Sequence, residues 1–249
     1  MARAPLPEGL DHEDWQISAT IRHLHRLDSV LDRLGIEADG QRFATVIDFG
    51  CGLGGLTQYV SRQFGIDHMY GVDVDEERLE RARSRGLTTF NIDLAREPIP
   101  LRDDSIDLVL SFGAFEHIAW YDNVLAETAR LLKHGGWLLL SMPNLGSYVN
   151  RAALLFGFQP REVEVSRKAA TGMLPFYRSQ DSHGEPIGHI HSATLRCMTG
   201  LLEHFGLEPV VIQGFSPDFG RRSLKVLDAV FGRVPSLARR YIILARRSH

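Results

Sequence analysis

The run Val46-Ile47-Asp48-Phe49-Gly50-Cys51-Gly52-Leu53-Gly54-Gly55 constrains this chain more than any other feature. An apolar run ends in an acid, three glycines follow at alternate positions, and helix-forming residues resume. This is the pattern of a strand, a tight turn stripped of side chains, and a helix. Bare backbone there lets a ligand approach the main chain and the helix N-terminus.

The surrounding pattern sets the fold. Strands are expected over 44–48, 68–73, 87–91, 106–111 and 137–142, with helices over 55–64, 75–85 and 122–133 between them. Strands separated by helices pair in parallel with right-handed crossovers. Ile106, Leu108, Val109 and Leu110, like Trp137, Leu138, Leu139 and Leu140, form continuous apolar runs, as in a sheet covered on both faces. An amphipathic helix over 16–35 precedes them, with Ile17, Ile21, Leu24, Leu27, Leu31 and Leu34 at helical spacing and Gly35 as its stop. Residues 143–193 lack this regularity, yet contain too many apolar and aromatic residues for disorder. They read as an ordered cap with a short helix over 147–156. A helix over 194–205, N-capped by Thr194, strands over 208–213 and 240–245, and an intervening helix that stops before Pro235 complete the chain.

Composition narrows the function classes. Of 249 residues, 44% are hydrophobic and 24% charged, as expected for a globular protein. No apolar run approaches the roughly 18 residues of a membrane span. The acidic N-terminus lacks a signal core, and two cysteines make no disulfide framework, so a cytoplasmic location is expected. Residues 221–249 hold eight Arg and Lys against Asp228 alone. That segment is either a solvated edge or a surface for peripheral membrane contact. The rest of the chain is acidic and shows no basic-aromatic stripe, which argues against a nucleic-acid partner.

Two ligands fit the glycine turn. Gly50, Gly52 and Gly55 satisfy the dinucleotide spacing, and Asp73 follows at the end of the second strand, where an acid would grip ribose hydroxyls. Asp48, however, sits two residues before the first glycine and would repel a pyrophosphate. Together with Asp73 and Asp93 it favours a positively charged, nucleoside-sized ligand.

At this point the chain resembles a class I S-adenosylmethionine-dependent methyltransferase. Val46–Gly54 is similar to the first motif of that family, Gly71-Val72-Asp73 to the second and Asn91-Ile92-Asp93 to the third. Ile106-Asp107-Leu108-Val109 and Phe115-Glu116-His117-Ile118 are similar to the fourth strand and its exit. Leu131-Leu132-Lys133-His134-Gly135-Gly136 is similar to the lead into Ser141-Met142-Pro143-Asn144. The resemblance covers about 100 residues and returns at the C-terminus. It implies one α/β domain over 1–249: a Rossmann-like, doubly wound, seven-stranded sheet with its last strand antiparallel. The N-terminal helical extension would occupy 1–40, the cofactor core 41–142, the inserted cap 143–193, and the final helix and strand pair 194–249.

The resemblance also implies roles. Gly50, Cys51, Gly52 and Gly54 would pass under the methionine part of S-adenosylmethionine. Asp48 would order the turn and face the ammonium group. Asp73, followed by Val74, would take the ribose hydroxyls, Asp93 and Leu94 would flank the adenine, and Ser111 would lie near the sulfonium. Cys51 reads as a small turn residue rather than a nucleophile. Glu116-His117 resembles the pair of quinone-pathway O-methyltransferases, which makes His117 the candidate base. Related enzymes that bind a divalent metal have a further Glu where this chain has Gly113, so no metal is expected. His189 and His191 alternate along an extended segment and could both face an acceptor; with His183 they could otherwise contribute to a metal site. Tyr148, Phe156, Phe158, Phe176 and Tyr177 could line a pocket for an aromatic or lipid-like acceptor, or simply pack the cap. The reading is methyl transfer to a small molecule, at an oxygen. A nicotinamide-dependent oxidoreductase and a non-catalytic cofactor-binding protein are the alternatives.

Overall fold

The computed structural model describes residues 24–177, 186–216 and 222–248. Helix α1 (Leu24–Glu37) leads into β1 (Thr45–Phe49), α2 (Gly55–Phe64), β2 (His68–Asp73), α3 (Glu76–Ser84) and β3 (Thr88–Asn91). β4 (Ile106–Phe112), a 3₁₀ turn over Phe115–His117, α4 (Asp122–Leu131) and β5 (Leu132–Pro143) follow. The chain closes with α5 (Tyr148–Leu155), α6 (Leu195–His204), β6 (Leu207–Phe215), α7 (Arg222–Phe231) and β7 (Arg240–Arg247). The first turns of the helix expected over 16–35, including Ile17 and Ile21, lie outside the described residues, as does His183.

All seven strands join one sheet in the order β3-β2-β1-β4-β5-β7-β6. β7 runs antiparallel to both β5 and β6, and the other pairs are parallel. The expected sheet with its last strand reversed is therefore present. After β3 the chain returns to the opposite side of β1, so the carboxyl ends of β1 and β4 flank a topological switch point, where open α/β sheets bind ligands.

Side-chain alternation builds the two covered faces. Val46, Leu108, Leu110, Leu139, Ile242 and Leu244 meet Leu27, Val30, Leu31 and Leu34 of α1 and Leu56, Tyr59 and Val60 of α2. Their sequence neighbours Ile47, Val109, Leu138, Leu140 and Ile243 point the other way, against Val124 and Leu125 of α4 and Met198 and Leu202 of α6. A period of two along each strand makes this division possible.

Most boundaries fall within two residues of the expected ones, and two of the differences are instructive. α1 runs past Gly35 to Glu37, and the left-handed positions fall at Asp39 and Gly40 instead. β5 begins at Leu132 rather than 137. Leu132 pairs with Ile106, then the register jumps so that Trp137 pairs with Leu108. Lys133–Gly136 form the bulge, with Gly135 at φ 74°. Four polar or glycine residues that look like a turn in sequence are an irregularity within the strand.

Candidate active site

The glycine turn is tied down by its neighbours. Gly50 and Cys51 donate their N–H groups to the Val72 carbonyl at 2.8 and 3.0 Å, and Gly54 donates to Cys51 O at 2.9 Å. Gly52 donates to the Asp73 carboxylate at 2.9 Å. Gly50, Gly52 and Gly54 all have positive φ, where glycine is favoured. Asp48 is buried and accepts from the Thr57 hydroxyl at 2.7 Å, which locks the end of β1 to the first turn of α2. Cys51 buries its thiol beneath the turn with Leu79, Ala82 and Leu87, so what it can offer a ligand is backbone.

Asp73 and Asp75 both precede α3, and the structure separates their roles. Asp75 is the N-cap, accepting from Glu77 N and Arg78 N. Asp73 bridges inward, accepting from Gly52 N and from Asp75 N at 3.1 Å. It is thus part of the turn, not a helix cap. Val74 beside it is exposed. Past β3, Asp93 accepts from Ala95 N at 3.0 Å, and the buried Leu94 offers its carbonyl to the Asn123 amide at 2.9 Å. Ser111 is fully buried, and its hydroxyl donates to Phe49 O across the β1–β4 seam.

The exit of β4 sends two adjacent residues opposite ways. Glu116 is buried, with Oε1 3.4 Å from Arg240 Nη2 and 3.9 Å from His189 Nε2. Its Oε2 makes no hydrogen bond among the described residues. His117 is exposed, and its Nδ1 lies 2.9 Å from the Gly188 carbonyl. A carbonyl only accepts, so Nδ1 carries the hydrogen and, in the neutral ring, Nε2 keeps its lone pair. The His117 and His189 rings meet edge to face at 5.2 Å. His191 packs elsewhere: it stacks on Tyr121 at 4.8 Å and bonds Ala119 O through Nε2. Among the described residues no three His, Cys, Asp or Glu side chains gather as metal ligands.

His189 is a different kind of histidine from His117. Burial, then the neighbouring His117, Arg161 and Arg240, push it down to about 2. It stays neutral and is far too weak a base for chemistry near neutrality. The folded value lies below the ordinary 6.5, so below that pH the unfolded chain binds a proton that the native state refuses. This contribution to stability is intact above about pH 6.5 and is lost as pH falls toward 2, by at most about 1.4 kcal/mol per pH unit. Urea unfolding at pH 7, 5.5 and 4.5 should show a shallower acid loss for His189→Gln than for the wild type. Parallel losses would refute this assignment.

Among the described residues the cap packs around a polar network. Buried Glu162 accepts from Asn150 at 2.5 Å and from the Tyr177 hydroxyl at 3.0 Å. Tyr148 donates to Asp228 at 2.8 Å and stacks on Phe231. Arg239 is buried against Asp228 at 2.6 Å, with its guanidinium 5.1 Å from the centre of the Tyr177 ring. Tyr148 and Tyr177 therefore serve cap packing, whereas Phe156 and Phe176 face solvent. Much of the basic C-terminal segment is structural as well. Arg240 lies by Glu116, Arg246 covers the Trp137 ring, and Arg247 bonds Asp104 and the Leu132 carbonyl.

Four positions that sequence reasoning passed over belong to this site: Thr57 under the turn, Ala114 against Gly50, Asn123 under Leu94, and Glu164, whose carboxylate accepts from Ile187 N and Gly188 N. A Thr two residues into the helix that faces a strand-end acid was a visible signal. The other three have no local signature.

Comparison with known proteins agrees with this geometry. A family model described as a methyltransferase domain matches residues 19–212. The chain is 35% identical over 108 residues to trans-aconitate 2-methyltransferase of Rhizobium rhizogenes, covering 41% of this chain and 40% of that protein. It is 31% identical over 147 residues to ubiquinone biosynthesis O-methyltransferase of Hahella chejuensis, covering 55% and 59%. The matched regions thus span about half the length of these curated relatives. Among solved structures, an S-adenosylmethionine dependent methyltransferase from Mesorhizobium loti superposes with a TM-score of 0.55 at 18% identity, covering 89% of this chain and all of that one. The dinucleotide alternative left open by the glycine spacing gives way: the chain belongs to the methyltransferase-domain family.

Proposed function

We propose that this chain transfers a methyl group from S-adenosylmethionine to an oxygen of a small acceptor. The observation that carries the reading is Asp73 bonded across the glycine turn to Gly52 N. The turn amides of Gly50, Cys51, Gly52 and Gly54 already have acceptors within the protein, and a carboxylate lies where a pyrophosphate would need donors. A ligand bearing an ammonium and a sulfonium suits such a turn; a dianion does not. Asp73 would accept from the ribose hydroxyls, and Asp93 and Leu94 would flank the adenine. Ser111, its hydroxyl committed to Phe49 O, would contribute through its backbone.

Bound there, S-adenosylmethionine supplies an electrophilic methyl group. Its thioether leaves without help from an acid, so alignment and exclusion of water are the protein's main tasks, worth on the order of 7–11 kcal/mol in well-oriented systems. A hydroxyl or phenol must also lose its proton, and His117 Nε2 is the group to take it.

An apolar acceptor fits the outer surface. Leu154 and Leu155 at the end of α5 and Phe156, its C-cap, are all strongly exposed, and α7 exposes Val226, Leu227 and Val230. Tyr148 joins the two helices through Phe231 and Asp228. Exposed Lys225 and Arg233 border this apolar surface, so its partner is an anionic lipid bilayer that presents the acceptor.

One assay tests both parts. Formation of S-adenosylhomocysteine is measured with a soluble phenol, a carboxylate, an amine, and a phenol-headed lipid in anionic vesicles. The expected results are turnover of both phenols, and slower turnover of the vesicle substrate alone in Leu155→Asp and Val226→Asp variants. Turnover confined to the amine would sink the oxygen assignment. Absence of turnover with every acceptor, despite binding of S-adenosylmethionine, would favour a non-catalytic binder. Equal vesicle activity in the Asp variants would exclude the lipid surface.

A further inference from the structure

Glu164 makes more contacts around His117 than its place in an irregular segment suggests. Its Oε1 accepts from Ile187 N at 3.1 Å and its Oε2 from Gly188 N at 2.8 Å. Its own N–H donates to the His189 carbonyl at 2.9 Å. One residue thereby fixes three consecutive residues of the segment that returns from the cap. On the far side, Ile190 N donates to Glu116 O at 2.9 Å, which secures the segment to the exit of β4.

The consequence falls on Gly188. Its carbonyl is the acceptor for His117 Nδ1 at 2.9 Å. Gly188 has φ 86°, and a Cβ there would lie 3.4 Å from that same nitrogen. The positive φ favours glycine there, and the Gly188–His189 peptide that carries the carbonyl lies between two points held by Glu164, the Gly188 N–H and the His189 carbonyl. Charge strengthens the clamp, because N–H bonds to a carboxylate are roughly twice as strong as neutral ones.

We infer that Glu164 is a positioning residue: by clamping Ile187 and Gly188 it aims the Gly188 carbonyl at His117 and fixes the imidazole as the Nδ1–H tautomer. The inference rests on the reading of His117 as the base, since only that tautomer leaves Nε2 able to take a proton. Glu164 meets His117 through the backbone of Gly188. It acts at one remove, as the orienting partners of metal-bound and catalytic histidines do.

Long-range proton–nitrogen correlation spectra of the imidazoles report the tautomer without any turnover. In the wild type, His117 should appear as Nδ1–H. In Glu164→Ala it should become a mixture of tautomers, and kcat on a phenol should fall by about tenfold, the lower end for an orienting partner, with the KM for S-adenosylmethionine unchanged. Glu164→Gln, which keeps one acceptor oxygen, should fall between the two. An Nε2–H ring in the wild type would overturn the inference even if no variant folds. An unchanged tautomer in a folded Glu164→Ala protein would overturn it too. A tautomer shift with full phenol turnover would uphold the positioning role and remove His117 as the base, so the two readings fail separately.

Discussion

Gly50→Ala is expected to cost this protein both stability and its cofactor. The position has φ 74°, and a Cβ built there would lie 2.6 Å from Ala114 Cβ. Left-handed strain on an L residue costs about 1–2 kcal/mol, and forcing a methyl into a packed contact about 1–3 kcal/mol more. Relief requires either the turn or the exit of β4 to move. Both flank the switch point where the cofactor is proposed to bind, so affinity for S-adenosylmethionine should fall at least about tenfold, equal to roughly 1.4 kcal/mol. Gly206→Ala is the control. Gly206 has nearly the same φ, 74°, with nothing within 4 Å of its added Cβ, and lies between α6 and β6. It should lose only the strain and keep full affinity. Denaturant unfolding and titration calorimetry with S-adenosylmethionine and NADH would check this. Equal stability and equal affinity in the two variants would refute the account of the turn, and NADH binding in place of S-adenosylmethionine would refute the choice of ligand.

The contrast between Gly50 and Glu164 shows what a sequence of this kind discloses. The sheet was legible because each strand is an apolar run broken by glycine or acid, and because period-two alternation divides Val46 from Ile47 and Leu108 from Val109 onto opposite faces. The glycine turn was legible for the same reason, being a local pattern. Asp73 was legible as the acid at the end of the second strand, but how it is held was not, nor was the capping role of Asp75. Only the register of β2 beside the turn gives Gly52 N to Asp73 and the cap to Asp75. The cap was the least legible part. Glu162, Asn150, Tyr177 and Arg239 meet across many intervening residues, and such contacts leave no periodicity. Glu164 reaches His117 only through the backbone of Gly188, so neither composition nor spacing could announce it. Glu116 and His117 looked like a pair, but adjacent residues on a 3₁₀ turn diverge, one into the core and one toward solvent.

That divergence sets the second large effect. His117→Ala is expected to lower kcat/KM on a phenolic acceptor by about a hundredfold or more, within the range that a positioned general base supplies, while leaving the affinity for S-adenosylmethionine unchanged. The loss should be largest near neutrality and shrink as alkaline pH ionises the phenol without a base's help. His189 cannot substitute for His117. Driven to about 2 by burial, it is neutral throughout the working range and has almost no thermodynamic pull on a phenol proton. His189→Gln should therefore keep phenol turnover even where its stability changes. Glu116 is no better placed, since its carboxylate is buried beside Arg240 rather than exposed at the turn. A carboxylate acceptor has no proton to lose, so if it is methylated at all, His117→Ala should methylate it as fast as the wild type does. Full phenol turnover by His117→Ala, or an equal loss on both acceptors, would mean that His117 shapes the site without accepting the proton.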